Sequence, residues 1–258
     1  MKDIKEVVRQ LEEVDWDFAG FIPGTRGISI HGLHWYPAPF PPALVGSLID
    51  ILGKNGKTFL DPFSGSGVGP IEAWSRGMHA FGIDGNRYVV GIARAKVDLV
   101  TKGTKRLGEE LAECYRLFHR RAAPGWQGVE PELVCSRARF KSDIIRWFVP
   151  SVLREIAILK CWINSDLGDL EGWRNVLVAT ASSLLHGQYS VVKDYHYTYV
   201  VDRSKVKKEC REEVDVSTLF IDRLIGNFTD GELIREQLSR SCSVLAQREM
   251  EKRRSPLV

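Results

Sequence analysis

The chain of 258 residues has no Cys-x-x-Cys pair. Its five cysteines, Cys114, Cys135, Cys161, Cys210 and Cys242, are widely spaced, which argues against a disulfide framework or a cysteine-based metal centre and fits reduced thiols. No apolar run approaches the ~20 residues of a membrane span. The start, Met1-Lys2-Asp3-Ile4-Lys5-Glu6, carries no signal-like apolar core, so a cytoplasmic chain without membrane association is expected. Charge imbalance is small as well: a net charge of +3 permits contact with nucleic acid without arguing for it. Internal repeats and low-complexity tracts are missing. So are two nucleotide-binding signatures, the phosphate loop ending Gly-Lys-Ser/Thr and the dinucleotide fingerprint Gly-x-Gly-x-x-Gly.

What the chain does carry is Leu60-Asp61-Pro62-Phe63-Ser64-Gly65-Ser66-Gly67-Val68-Gly69, followed by Phe81-Gly82-Ile83-Asp84. This reads as a buried strand, a glycine turn, a helix, and a second strand tipped by a carboxylate. Glycines let a ligand approach the backbone and accept positive φ, and the following helix offers free N–H groups at its positive end. An acid at the tip of the next strand is placed to accept hydrogen bonds from ribose hydroxyls. Asp61 and Asp84 are 23 residues apart, near the roughly 20 expected of such a unit. An acid opening the loop would repel a pyrophosphate and attract an ammonium or sulfonium cation. That choice points to S-adenosylmethionine.

Asp61-Pro62-Phe63-Ser64-Gly65-Ser66-Gly67 resembles the cofactor loop Asp-Pro-Phe-x-Gly-Ser-Gly-Thr of the DNA amino-methyltransferases, which modify N4 of cytosine or N6 of adenine. Upstream, Tyr36-Pro37-Ala38-Pro39-Phe40-Pro41 is similar to the family's Tyr-Pro-Ala-x-Phe-x-Pro stretch, which closes over the methionine end of the cofactor; four prolines between Pro37 and Pro42 stiffen it. Downstream, Asp84-Gly85-Asn86-Arg87 and Ala93-Arg94-Ala95-Lys96 resemble the family's Asp-x-Asn-Pro-x-Ala and trailing Ala-x-x-Lys pattern. The resemblance implies that Tyr36, Pro37 and Ala38 line the methionine pocket. It places Asp61, Pro62, Phe63, Gly65, Ser66 and Gly67 in the cofactor loop, and Asp84, Gly85 and Asn86 beside the adenosine. Val68-Gly69-Pro70 stands where the family has Thr-Thr-Leu, removing hydroxyls that reach the cofactor carboxylate. His31 and His34 suggest a metal by their spacing, but Trp35-Tyr36 beside them favours packing, and no metal is expected.

The family's catalytic tetrapeptide, Asp/Ser/Asn-Pro-Pro-aromatic, is not found: the one Pro-Pro pair, Pro41-Pro42, belongs to the upstream wall. No catalytic residue is therefore assigned in this chain. Tyr195-His196-Tyr197-Thr198-Tyr199 lacks the prolines and reads as a strand or packed edge. Strands are expected at Thr58–Asp61 and His79–Ile83, with a third near Tyr197–Val201. Helices are expected at Pro42–Leu52, from Arg87 to Val100, around Leu107–Ala122, after Pro150, around Trp173–Leu184, and over Val216–Phe228 and Glu232–Glu249. The expected class is α/β, a partial Rossmann-like methyltransferase sheet with a large helical extension, completed by a partner chain. Residues 1–102 would form the cofactor part and 103–258 the extension.

Three functions follow from these readings. The first is the S-adenosylmethionine-binding subunit of a split DNA methyltransferase acting on double-stranded DNA, N4-cytosine favoured over N6-adenine, with the Pro-Pro-aromatic motif on a second subunit. The second is a non-catalytic relative that binds DNA or a protein partner. The third is a stand-alone methyltransferase for a small amine. Lys205, Lys207, Lys208 and Arg211, with the tail Arg248, Lys252, Arg253 and Arg254, are candidate phosphate contacts, although Glu209, Glu212 and Glu213 make a solvated face the default for the first group.

Overall fold

A computed structural model describes residues 4–14, 16, 30–34, 40–53, 58–146, 148–185 and 214–254, with side chains described as far as residue 239 except at 143 and 146. The expected strand near Tyr197–Val201, the lysine cluster at 205–211 and Tyr36, Pro37 and Ala38 lie outside the described residues.

Helix α1 (Ile4–Glu12) and a short turn at Ile30–Leu33 precede α2 (Pro42–Leu52), which opens on Pro42, where a proline costs no helical hydrogen bond. Strand β1 (Thr58–Asp61), α3 (Val68–Ser75) and β2 (His79–Gly82) form one crossover unit, with β1 and β2 parallel and in register from Thr58↔His79 to Asp61↔Gly82. The ladder continues past the strand ends, because Ile83 N donates to Asp61 O at 2.9 Å and Ser64 N to Ile83 O at 2.9 Å. Helix α3 lies on one face of this pair. Phe59 and Asp61 point to it, and Gly69 makes the approach possible, since a Cβ there would stand 2.7 Å from Asp61 Oδ2 and 3.2 Å from the Phe59 ring.

The described residues leave the opposite face largely uncovered. Leu60 and Phe81, paired across the ladder, are 60% and 58% exposed, and Ile83 is 59% exposed.

The rest of the described chain is helical: α4 (Arg87–Lys102), α5 (Lys105–Ala122), α6 (Pro131–Ala138), α7 (Pro150–Ile163), α8 (Arg174–Ser183) and α9 (Val216–Arg254). Asn86 caps α4 by accepting from Tyr88 N, and Thr104 caps α5 by accepting from Leu107 N at 3.2 Å. The main core lies here. Tyr115, Trp162 and Phe220 meet tilted or edge-on with ring centres 5.0 to 6.1 Å apart, within a cluster that includes Leu111, Leu153, Leu177 and Leu224.

Helix α9 is the spine. Phe220 meets Tyr115, Phe228 meets Gly108, and Lys105 N donates to Glu232 at 2.8 Å, so α9 runs antiparallel to α5. The sequence suggests two helices here, Val216–Phe228 and Glu232–Glu249, but the structure has one continuous helix through Gly231. The glycine serves a close crossing rather than a break: a Cβ on Gly231 would stand 2.7 Å from the Leu99 carbonyl of α4. Together the elements make a mostly helical molecule with a small two-stranded parallel sheet, compatible with part of an α/β methyltransferase.

Candidate functional site

The loop 62–67 between β1 and α3 and the tip of β2 meet at the carboxyl ends of the two strands, where ligands bind in open parallel sheets. Asp84 ties the two together. Its Oδ2 accepts from Gly65 N at 2.9 Å and its Oδ1 from Asn86 N at 2.8 Å. An ionised carboxylate has about four acceptor positions, so roughly two remain for a ligand hydroxyl. Asp61, at the end of β1, accepts from Phe63 N at 3.0 Å and holds the loop's first bend. Pro62 and Phe63 form the exposed tip, with Phe63 87% exposed.

The glycines divide the work. Gly65 has φ 51° and nothing within 4 Å of the position a Cβ would take, so it leaves open space on the ligand side. Gly67, φ 86°, turns inward: a Cβ would stand 2.8 Å from Ala93 Cβ of α4. Its need for glycine comes from loop-to-helix packing and from the left-handed backbone. Gly85 and Asn86 lead from the Asp84 tip into α4, both exposed.

Lys96 holds the loop from behind. This side chain is 1% exposed, and its Nζ donates to Ser66 O at 2.9 Å and Ser66 Oγ at 3.3 Å, with no carboxylate in ion-pair range among the described residues. Burial pushes the ammonium down to about 7. The sequence signal was present, because Lys96 falls on the buried stripe Val89, Ile92, Lys96, Leu99 of α4, where a lysine has no reason to be unless it has a partner.

A second polar set supports the back of α3. His31 Nε2 donates to Glu72 Oε1 at 3.0 Å, and Arg76 bridges Glu72 at 2.6 Å and Asp50 at 2.9 Å, tying α3 to α2. Burial pushes the His31 imidazole below its ordinary value against the pull of Glu72, so the contact is a hydrogen bond of a neutral ring. Burial alone would raise Glu72, yet the bonds from His31 and Arg76 keep its carboxyl below the ordinary value. His34 instead meets Tyr88, Nε2 to hydroxyl at 2.8 Å. The two histidines thus have separate partners, and among the described residues no cluster of three groups suited to a metal is present.

Residues 4–95 match the DNA methylase family. The methylase-like segment therefore spans α1 to the first half of α4 and contains the whole loop, Asp84 and the stretch at Tyr36–Ala38. Over 87 residues the chain is 31% identical to the type II methyltransferase M.MjaII of Methanocaldococcus jannaschii, a stretch that is 33% of this chain and 16% of that protein. The chain thus corresponds to a minor part of the relative's length. No solved structure matches it. Among the described residues, no helix is long and apolar enough to cross a membrane.

Proposed function

We propose that this chain is the S-adenosylmethionine-binding component of a DNA amino-methyltransferase, with residues 1–102 forming the cofactor part and 103–258 the helical extension that backs it. The observation that carries the reading is the methylase-like loop held in a ligand-ready shape: Gly65 open, Asp84 with spare acceptor capacity, and Lys96 clamping Ser66. When bound, S-adenosylmethionine supplies a methyl group already activated on a sulfonium.

The chain's own part is to orient that donor. Asp84 would accept from the ribose hydroxyls while keeping Gly65 and Asn86 in place. Asp61 would set a negative charge near the cationic end, Phe63 would cover the loop, and Ser66 and Gly67 would fix the turn. Tyr36, Pro37 and Ala38 complete the methionine side in this reading. Rate then comes from alignment and water exclusion.

The base would be presented by a second polypeptide that carries the Pro-Pro-aromatic segment, N4 of cytosine being favoured over N6 of adenine. The exposed face of Leu60, Phe81 and Ile83 favours a partner, because a parallel sheet is stable when both faces are covered. The test is calorimetric titration of the chain with S-adenosylmethionine, followed by methyl transfer to duplex DNA with and without the partner. Saturable binding with DNA methylation only in the presence of the partner is the expected result. Absence of cofactor binding would leave a non-catalytic relative, and methylation by the chain alone would overturn the split arrangement.

A further inference from the structure

Among the described residues the exposed cations are of two kinds, those paired with an acid and those, Arg87 and Arg94 on α4 included, with no ion pair. On α1, α3 and the first part of α5 they are neutralised by neighbours one turn away: Arg9 by Glu6 and Glu13, Arg76 by Glu72, Lys105 by Glu109, Arg106 by Glu110. At the far end of α5 and the end of α6 they are not. Arg120, Arg121, Arg139 and Lys141 are exposed and have no ion pair among the described residues. Arg137 Nη1 donates to Gly125 O at 3.4 Å, which brings the end of α6 against the turn that follows α5. Lys160 Nζ donates to Arg139 O at 3.0 Å and adds a further charge beside them. The acids on the intervening stretch are Glu130 and Glu132, so positive charge prevails.

Cations at helix ends offset the helix dipole, and that accounts for part of the set. It does not account for Lys141, which lies beyond the C-cap residue Arg139 of α6. Arg139 is also the one described non-glycine residue with positive φ, 53°.

The patch lies at the end of the helical part where α4 begins. Arg223 of α9 donates to the Leu33 carbonyl at 3.2 Å, and the next residue, His34, meets Tyr88 in the first turn of α4. One turn earlier on α9, Phe220 touches Tyr115, and Gly231 crosses Leu99. Helix α9 is therefore parallel to α4 and antiparallel to α5, so along that shared direction the last two turns of α5 lie beyond the level at which α4 starts.

We propose that the ends of α5 and α6 form a docking surface for the phosphate backbone of duplex DNA, holding the substrate at the level of the cofactor. The proposal rests on the methyltransferase reading but has its own test. Arg120→Gln/Arg121→Gln and Arg139→Gln/Lys141→Gln pairs, and the four changes combined, are made in the full chain. Binding to a labelled duplex of unrelated sequence is followed by anisotropy over a range of salt. For every phosphate that the variant no longer neutralises, the slope of log K against log salt becomes shallower by about 0.9. The combined variant is expected to be shallower by about 2 to 4 and weaker by at least about tenfold at low salt, while Lys105→Gln/Arg106→Gln, at the paired end of α5, binds as the native chain does. An unchanged slope in the combined variant overturns the proposal, as does a native chain that binds S-adenosylmethionine but no duplex, or one that prefers single-stranded RNA. A native chain that binds duplex with the expected slope but no S-adenosylmethionine would leave this surface standing and remove the methyltransferase reading instead.

Discussion

Asp84 and Lys96 show how single side chains can hold a loop through its backbone. Asp84 anchors Gly65 and Asn86 through backbone N–H groups, so its removal costs loop order as well as a ligand bond. Asp84→Ala should weaken S-adenosylmethionine binding by roughly 1.5–3 kcal/mol, the range for a hydrogen bond to a charged group; Asp84→Asn keeps an acceptor and should lose less. Calorimetric dissociation constants for the two variants check this, and equal affinity to the native chain would leave Asp84 with an anchoring role alone. Lys96 makes a prediction about pH. Its folded value is lowered from 10.5 to about 7, so between those values the unfolded chain binds a proton that the folded chain does not. Stability therefore rises with pH across that window, and the burial penalty is fully present below about pH 7. Melting temperatures measured from pH 7 to 9 should climb less steeply in Lys96→Met than in the native chain. That range stays below the ordinary value of Tyr88 and Tyr115, both raised by burial.

At the scale of elements, the unit from β1 to α4 was legible because the information is local. A short apolar strand, a run of small residues, a proline in the first helical turn and an acid at the strand tip each act on their immediate neighbours. The roles of individual glycines were not legible. Gly65 and Gly67 look equivalent in sequence, yet one faces open space and the other packs on Ala93. Gly65→Ala should preserve the melting temperature within a few degrees while lowering cofactor affinity, whereas Gly67→Val should lower both, because its Cβ collides with α4. Circular dichroism and titration on the same samples separate the two outcomes, and a Gly67→Val chain that melts like the native one would refute the inward assignment. The length of α9 was hidden for a similar reason. Gly231 reads as a helix break until the Leu99 carbonyl, far upstream in sequence, is seen to require it. The exposed ends of α5 and α6 carry no motif, and their proximity emerges only from the contact of Arg137 with the Gly125 carbonyl.

For the whole molecule, the distribution of apolar surface is uneven. The helical part buries Tyr115, Phe220 and Phe228 completely, while the sheet leaves Leu60, Phe81 and Ile83 more than half exposed on one face. A complex that covers this face and extends the sheet is expected to be of the obligate kind, burying ~2,000 Å² or more. Phe81→Glu should abolish co-purification with the proposed second subunit and leave S-adenosylmethionine binding intact, since Phe81 points away from α3 and the loop. Size exclusion of the isolated native chain should show self-association that this charge suppresses; a Phe81→Glu chain that still assembles with that subunit would relocate the interface.

The crossing of Gly231 over Leu99 also bears on the order in which the molecule can form. Helix α4, which clamps the cofactor loop through Lys96, is buried by a helix that lies more than a hundred residues later in the chain. Contacts so distant in sequence slow folding, because the intervening loop must close before they contribute. During synthesis, the methylase-like segment would emerge with one side of α4 uncovered and wait for α9, so the proposed cofactor site matures late although its motif comes early. A chain cut after residue 185 should accordingly retain the loop sequence and fail to hold the loop's shape.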